Sequence, residues 1–181
     1  MTLAEFLAWE ERQELRYEFD GLAPVAMTGG NRRPRPDHLQ HKKSVGRSVG
    51  WQSLPAIRSK GAGRARYPDA LVTCVRVDPA ATVVDDPVVV FEVISDDTAR
   101  TDPIEKLREY QATASIRHYV ILEQKSIGAM AFYRKGEDWV VAALTENDSI
   151  DLPEIGIAIP MTELYTGLRL SPLEETRSEP G

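Results

Sequence analysis

Two carboxylates in this chain stand where their charge has to be explained. Glu92 interrupts the apolar run "VVVFEVI" at residues 88–94, and Asp69 follows Pro68 at the head of "DALVTCV". The first run is β-branched, short and bounded by Asp, Pro, Ser and Thr, so it reads as a strand buried on both faces. An ionised carboxylate inside such a strand is costly unless positive charge meets it. Along its strand Asp69 shares a face with Leu71, Thr73 and Val75, and Glu92 shares one with Val90 and Ile94. If the strands are neighbours, the two acids converge at one end of the sheet, and each drives the other to hold a proton. A divalent cation removes that conflict. Few hard oxygen ligands supplemented by water are what Mg²⁺ accepts, and a metal so held polarises a phosphoryl oxygen and acidifies a bound water. The alternative is structural: Glu92 is ion-paired to a basic side chain, and Asp69 caps the turn after Pro68.

The elements that must position these residues can be read along the chain. "TLAEFLAWEERQ" follows a Thr2 N-cap with Glu5 three residues on, which predicts a short helix. Alternating apolar residues around Asp20-Gly21 predict a two-residue hairpin. "YPDALVTCVRV" reads as a strand with Pro68 at its start. "TDPIEKLREYQAT" reads as a helix capped by Thr101 or Asp102, with Ile104, Leu107 and Tyr110 forming one apolar face. The later segments "RHYVILEQ", "AMAFYRKGEDWVVAALTE" and "DSIDLPEIGIAI" predict short strands with turns at Lys135-Gly136 and Asn147-Asp148, and "PMTELYTGL" a closing helical turn. A helix crossing over after the central strand implies a mixed α/β sheet. One domain over residues 1–170 is expected, with a polar, acidic tail at 171–181 that frays.

Composition sets the outer limits. The chain has 181 residues, a net charge of −6 and a single cysteine, Cys74. Cys74 allows no internal disulfide and no Cys-based zinc site, and its apolar surroundings predict core packing. No apolar run reaches membrane-span length, and the acidic N-terminus lacks the blocks of a signal peptide, so a cytoplasmic protein is expected. Residues 31–66 differ from everything around them: ten Arg or Lys stand against one acid, Asp37. A basic block on an acidic body is a nucleic-acid footprint or a solvated, poorly ordered segment. His38 and His41 read as loop residues there, and Trp51 as a lone aromatic. His118 reads as packed at a strand start.

The stretches "YPDALV", "PVVVFEVISDDTARTDPIEKLREY" and "IRHYVIL", with the N-terminal "MTLAEFLAWEE" and "LRYEFDG" and the C-terminal "LPEIGIAIPMTELYTGL", resemble the Uma family of restriction-endonuclease-like proteins. That family lies within the PD-(D/E)XK nuclease superfamily. The resemblance spans most of the chain apart from residues 31–66 and the tail. It implies an α+β fold of the restriction-endonuclease type: a mixed β-sheet, a crossover helix and a C-terminal run of antiparallel strands. It further implies a metal-dependent endonuclease acting on DNA with Mg²⁺ or Mn²⁺, with a homodimer left open. Carried over residue by residue, Asp69 is the Asp of PD and Glu92 the acid of the second half. Ile94 stands where that half places its lysine, and Lys106 on the following helix takes the role. Glu18 matches an N-terminal glutamate of the pattern, as a further ligand or water-positioner. Against this stand an inactive nucleic-acid-binding relic of the same fold and an acidic interaction protein with structural carboxylates. In the family, the stretch before PD holds an amphipathic helix. Here residues 31–66 carry Pro34, Pro36 and Pro55 and no sustained apolar period, so much of the segment is expected to be irregular.

Overall fold

The computed structural model describes residues 1–27, 56–59, 63–78, 81, 83–94 and 103–166. Helix α1 spans Leu3–Glu10, α2 Pro103–Ala112 and α3 Met161–Leu164. The strands are β1 Tyr17–Phe19, β2 Pro24–Ala26, β3 Ala56–Ser59, β4 Arg64–Arg66, β5 Ala70–Thr73, β6 Val83–Val84, β7 Pro87–Ile94, β8 His118–Glu123, β9 Gly128–Lys135, β10 Asp138–Thr145, β11 Ser149–Leu152 and β12 Ile157–Pro160. Among the described residues they form a small sheet ordered β2-β1-β4-β3-β6, a large sheet ordered β10-β9-β8-β7-β5, and the ribbon β11-β12.

The large sheet is mixed because α2 returns the chain from β7 to a parallel β8, whereas β5, β9 and β10 join by antiparallel pairing. Side chains alternate across each strand, so the two faces collect different sets. One face places Val89, Phe91, Val120 and Leu122 against Ile150 and Leu152 of the ribbon and Met161 of α3. The other places Val90 and Tyr119 against Tyr110 of α2 and Ile57 of β3, with Leu71, Leu107 and Ile121 around them. Phe6 of α1 closes a third cluster with Phe19, Ala65 and Tyr67.

The expected mixed sheet, crossover helix and C-terminal strand run are present. Thr2 caps α1 with a full capping box: the Glu5 amide donates to Thr2 Oγ1, and the Thr2 amide donates to Glu5 Oε2. The hairpin forms, but its loop holds four residues rather than two, because Phe19 pairs with Pro24. Asp20 Oδ1 accepts from the Leu22 and Ala23 amides, and Gly21 takes a φ of 95°.

Three local expectations change. Cys74 is exposed rather than packed in the core. β5 ends at Thr73 after a register shift between Val72 and Thr73, so the alternation that would have buried Cys74 stops first. Ile104 is exposed, and the face of α2 that meets the sheet runs through Leu107 and Tyr110 instead. Within 31–66, residues 56–59 and 64–66 are strands, and Ile57, Ala65 and Arg66 are buried. The segment's three prolines all precede these strands. The remainder of that segment apart from Gly63, with His38, His41 and Trp51, lies outside the described residues, as do Asp102 and the tail.

A buried carboxylate and cation site

Strand alternation delivers the charged side chains to one place. On β4, Ala65 turns to the α1 cluster, so Arg64 and Arg66 turn the other way. On β1, Phe19 faces that same cluster and Glu18 faces away from it. Phe19 pairs with Ala65, which sets Glu18 across from Arg66. On α2, Lys106, Glu109 and Tyr110 stand at helical spacings of three and four, so they share a face. On β7, Glu92 lies on the side of Val90, the side that α2 covers. The small sheet, α2 and β7 therefore meet along a row of opposite charges.

At the centre, Lys106 Nζ donates to Glu92 Oε2 at 2.8 Å and to Oε1 at 3.1 Å. The Tyr110 hydroxyl donates to Glu92 Oε1 at 2.9 Å. Lys106 also stands 3.3 Å from Glu18 Oε1. The second oxygen of Glu18 accepts from Arg66 Nη1 at 3.0 Å. Arg66 turns its remaining edge to Glu109, with Nε–Oε2 at 3.0 Å and Nη2–Oε1 at 2.6 Å. Such a fork across two oxygens suits a guanidinium and could not be copied by lysine. Arg64 joins the outer end, bonded to Glu109 and Glu105.

Burial sets the protonation of these groups. Desolvation raises the Glu92 carboxyl above its ordinary value, and Lys106 and Tyr110 offset only part of that rise. Burial also pushes the Lys106 ammonium down, but Glu92 and Glu18 outweigh it and hold it above the usual lysine value. Lys106 is thus a cation and a donor at neutral pH, not a base. Desolvation, reinforced by Glu92, keeps the Tyr110 hydroxyl protonated. Burial raises Glu109 too, yet Arg66 and Arg64 more than reverse it.

Asp69 stands one residue before β5. Ala70 pairs with Phe91, so the register continues to Asp69 beside Glu92 on the neighbouring strand. Its Oδ2 accepts from the Val93 amide at 2.8 Å. The acid pair is adjacent in the sheet, as the spacing suggested. Lys106 points from α2 to that pair, and Glu18 joins through Lys106.

Among the described residues no group of three or more His, Cys, Asp or Glu is placed to hold a metal ion. A two-carboxylate site is a different matter. Asp69 and Glu92 supply the hard oxygens that Mg²⁺ or Mn²⁺ takes with water completing the shell. The Lys106 ammonium against both Glu92 oxygens already supplies positive charge there. The donor chemistry of these two residues suits a divalent cation. Glu18 lies on β1 of the small sheet, with its oxygens facing Arg66 and Lys106.

Sequence reasoning missed Arg66 and Glu109. Arg66 is buried, although it lay in a block read as solvated, and Glu109 is buried although its helix neighbours suggested a wet surface. One signal was available: "RARYPD" alternates arginine with an apolar residue directly before the Asp69 strand. His118 is packed at the start of β8, stacked on Tyr133 and 3.3 Å from Glu154.

Comparison with known proteins agrees with this architecture. The chain is 28% identical over 174 residues to an uncharacterized protein of Synechocystis, covering 91% of this chain and 90% of that one. The crystal structure of a "putative nuclease belonging to DUF820" from Anabaena variabilis superposes with a TM-score of 0.57. It shares 12% identity and covers 91% of this chain and 97% of its own, so the likeness is one of fold. A family model described as "putative restriction endonuclease" matches residues 3–162, and the chain belongs to that family, Uma2.

Proposed function

We propose that the chain is a metal-dependent endonuclease that hydrolyses phosphodiester bonds in DNA, with Asp69 and Glu92 holding Mg²⁺ or Mn²⁺ and Lys106 as the cationic catalytic residue. The observation that carries this reading is the half-buried Glu92–Lys106 pair beside Asp69 on paired strands. The cation, when bound, supplies Lewis-acid polarisation of the phosphate and a more acidic water. The chain's own groups do the rest. Lys106 donates hydrogen bonds and positive charge toward an oxygen that gains negative charge, which needs a donor fixed in advance. Tyr110 holds the Glu92 carboxylate in register from the buried side, and the Val93 amide holds Asp69. Family membership supports nuclease chemistry in general; DNA as substrate and the choice of ion belong to this proposal. So do a cytoplasmic setting and a pairing of two chains, which would bring one site to each strand. Among the described residues no helix is long and apolar enough to cross a membrane.

One observation favours a second reading. Both Glu92 oxygens are already engaged by Lys106, as in a structural ion pair, and this suits an inactive nucleic-acid-binding relative of the same fold. Plasmid nicking separates the two. The wild type should convert supercoiled DNA to open circles in Mn²⁺, should stop with EDTA, and should lose the activity in Asp69→Asn and Glu92→Gln. DNA retention without nicking by the wild type in Mn²⁺ would favour the second reading.

A further inference from the structure

Lys106 stands between two carboxylates, and only one of them is beside Asp69. Its Nζ is 2.8 Å from Glu92 Oε2 and 3.3 Å from Glu18 Oε1. The two acids are not equivalent. Glu92 sits on β7, one strand from Asp69, and its other contact is the neutral Tyr110 hydroxyl. Glu18 sits on β1 in the small sheet, fixed from behind by Arg66, which is itself gripped by Glu109. Glu92 can exchange one cation for another at little structural cost. Glu18 cannot move without breaking its own bond to Arg66.

We propose that Glu18 is a positioning residue, not a metal ligand: it retains the Lys106 ammonium beside the site when Glu92 turns to a divalent cation, with Arg66 keeping Glu18 in place. The proposal rests on the metal-binding reading of Asp69 and Glu92. A cation that takes Glu92 must displace Lys106 from at least one oxygen. Without a second acid the displaced ammonium would be left buried and unpaired, a strongly unfavourable state. With Glu18 already 3.3 Å away, the ammonium shifts its weight rather than leaving. Lys106 then stays close enough to act on a substrate phosphate while the carboxylate is occupied.

Mn²⁺ affinity, measured by calorimetry without DNA, tests this through a double-mutant cycle. Lys106→Met should tighten Mn²⁺ by about tenfold, because the competitor for Glu92 is gone. Glu18→Gln should weaken it by about tenfold, because Lys106 then has only Glu92 to hold. In the Lys106→Met background the effect of Glu18→Gln should all but vanish. A glutamate that ligates the metal would give the opposite result, an equal loss of affinity with or without Lys106, and that result overturns the proposal. Should Glu18→Gln not fold, Glu18→Asp carries the same test, since the shorter arm cannot span Arg66 and Lys106 together. Mn²⁺ binding in none of the proteins, Lys106→Met included, would remove the metal reading and this proposal with it. Binding that is insensitive to Glu18 in the wild-type background would overturn this proposal alone.

Discussion

The two faces of the large sheet are built from the same strands and are put to opposite uses. The face toward the β11-β12 ribbon is apolar throughout its described centre: Val89, Val120, Leu152 and Met161 are all fully buried. The face toward α2 buries Val90, Tyr110 and Tyr119 but also leads into Glu92, Lys106, Glu18, Arg66 and Glu109. Apolar burial stabilises in proportion to area. Buried ion pairs seldom do, because desolvation cancels most of the attraction. One face therefore holds the fold together, and the other carries a charge network that adds little to stability.

Substitutions can break that division, and the largest effects are expected at the centre of the charged face. Lys106→Ala should lower the nicking rate by roughly a hundredfold or more, the scale of losing one preorganised donor. Its melting temperature should fall too, because Glu92 and Glu18 lose their shared cation, so the rate is compared per folded molecule. Nicking at the wild-type rate would return Lys106 to a structural role. Next is Arg66→Met, which leaves Glu18 with Lys106 and Glu109 with Arg64 as their remaining cations among the described residues. Breaking a buried pair from one side costs about 3–5 kcal/mol, readable as a shift in urea midpoint. A change under about 1 kcal/mol would mean that water reaches the network.

Leu152→Ala attacks the other face. Deleting a fully buried leucine costs about 2–5 kcal/mol, and the rate per folded molecule should stay constant. Lost activity in a sample still folded by circular dichroism would show that the faces are not separable. Acid sharpens the comparison within the charged face. Arg66 and Arg64 hold Glu109 below its ordinary value of 4.5 despite burial. Its contribution to stability is present above that pH and is lost as pH falls through the folded value. Glu92 lies above 4.5, chiefly through desolvation, so its contribution is full below 4.5 and is lost as pH rises through its folded value. Glu109→Gln should flatten the acid side of a melting-temperature profile, and Glu92→Gln should flatten the rise of instability above it. Identical profiles would show that neither shift exists. The smallest effect lies outside both faces: Thr2→Ala removes the α1 cap and should cost about 1 kcal/mol.

Much of the architecture was legible locally. Thr2 and Glu5 announced α1, the β-branched run around Glu92 announced β7, and Lys135-Gly136 announced the turn between β9 and β10, where Gly136 adopts a φ of 66°. Glu92 and Asp69 stood out locally, as a charge in an apolar run and an acid at the head of a strand, whereas Lys106 came only from the resemblance to the family. Cys74 and Ile104 were misjudged for a common reason. Each sits near an element's end, where a one-residue shift in boundary or rotation exchanges buried for exposed.

What the sequence determined by itself was therefore most of the elements other than β3, β4 and β6, and the anomaly at Glu92, both consequences of period, caps and composition within a few residues. Only the tertiary structure decided what answers that anomaly. Glu18, Arg66, Lys106 and Glu109 come from β1, β4 and α2, and pairs among them are 43 and 48 residues apart in the chain. Nothing in a local pattern says that β4 lies beside β1, or that its arginines turn toward α2 instead of solvent. A buried charge takes its partner from whichever element packs against it, and that is settled by how the sheets and the helix close on one another.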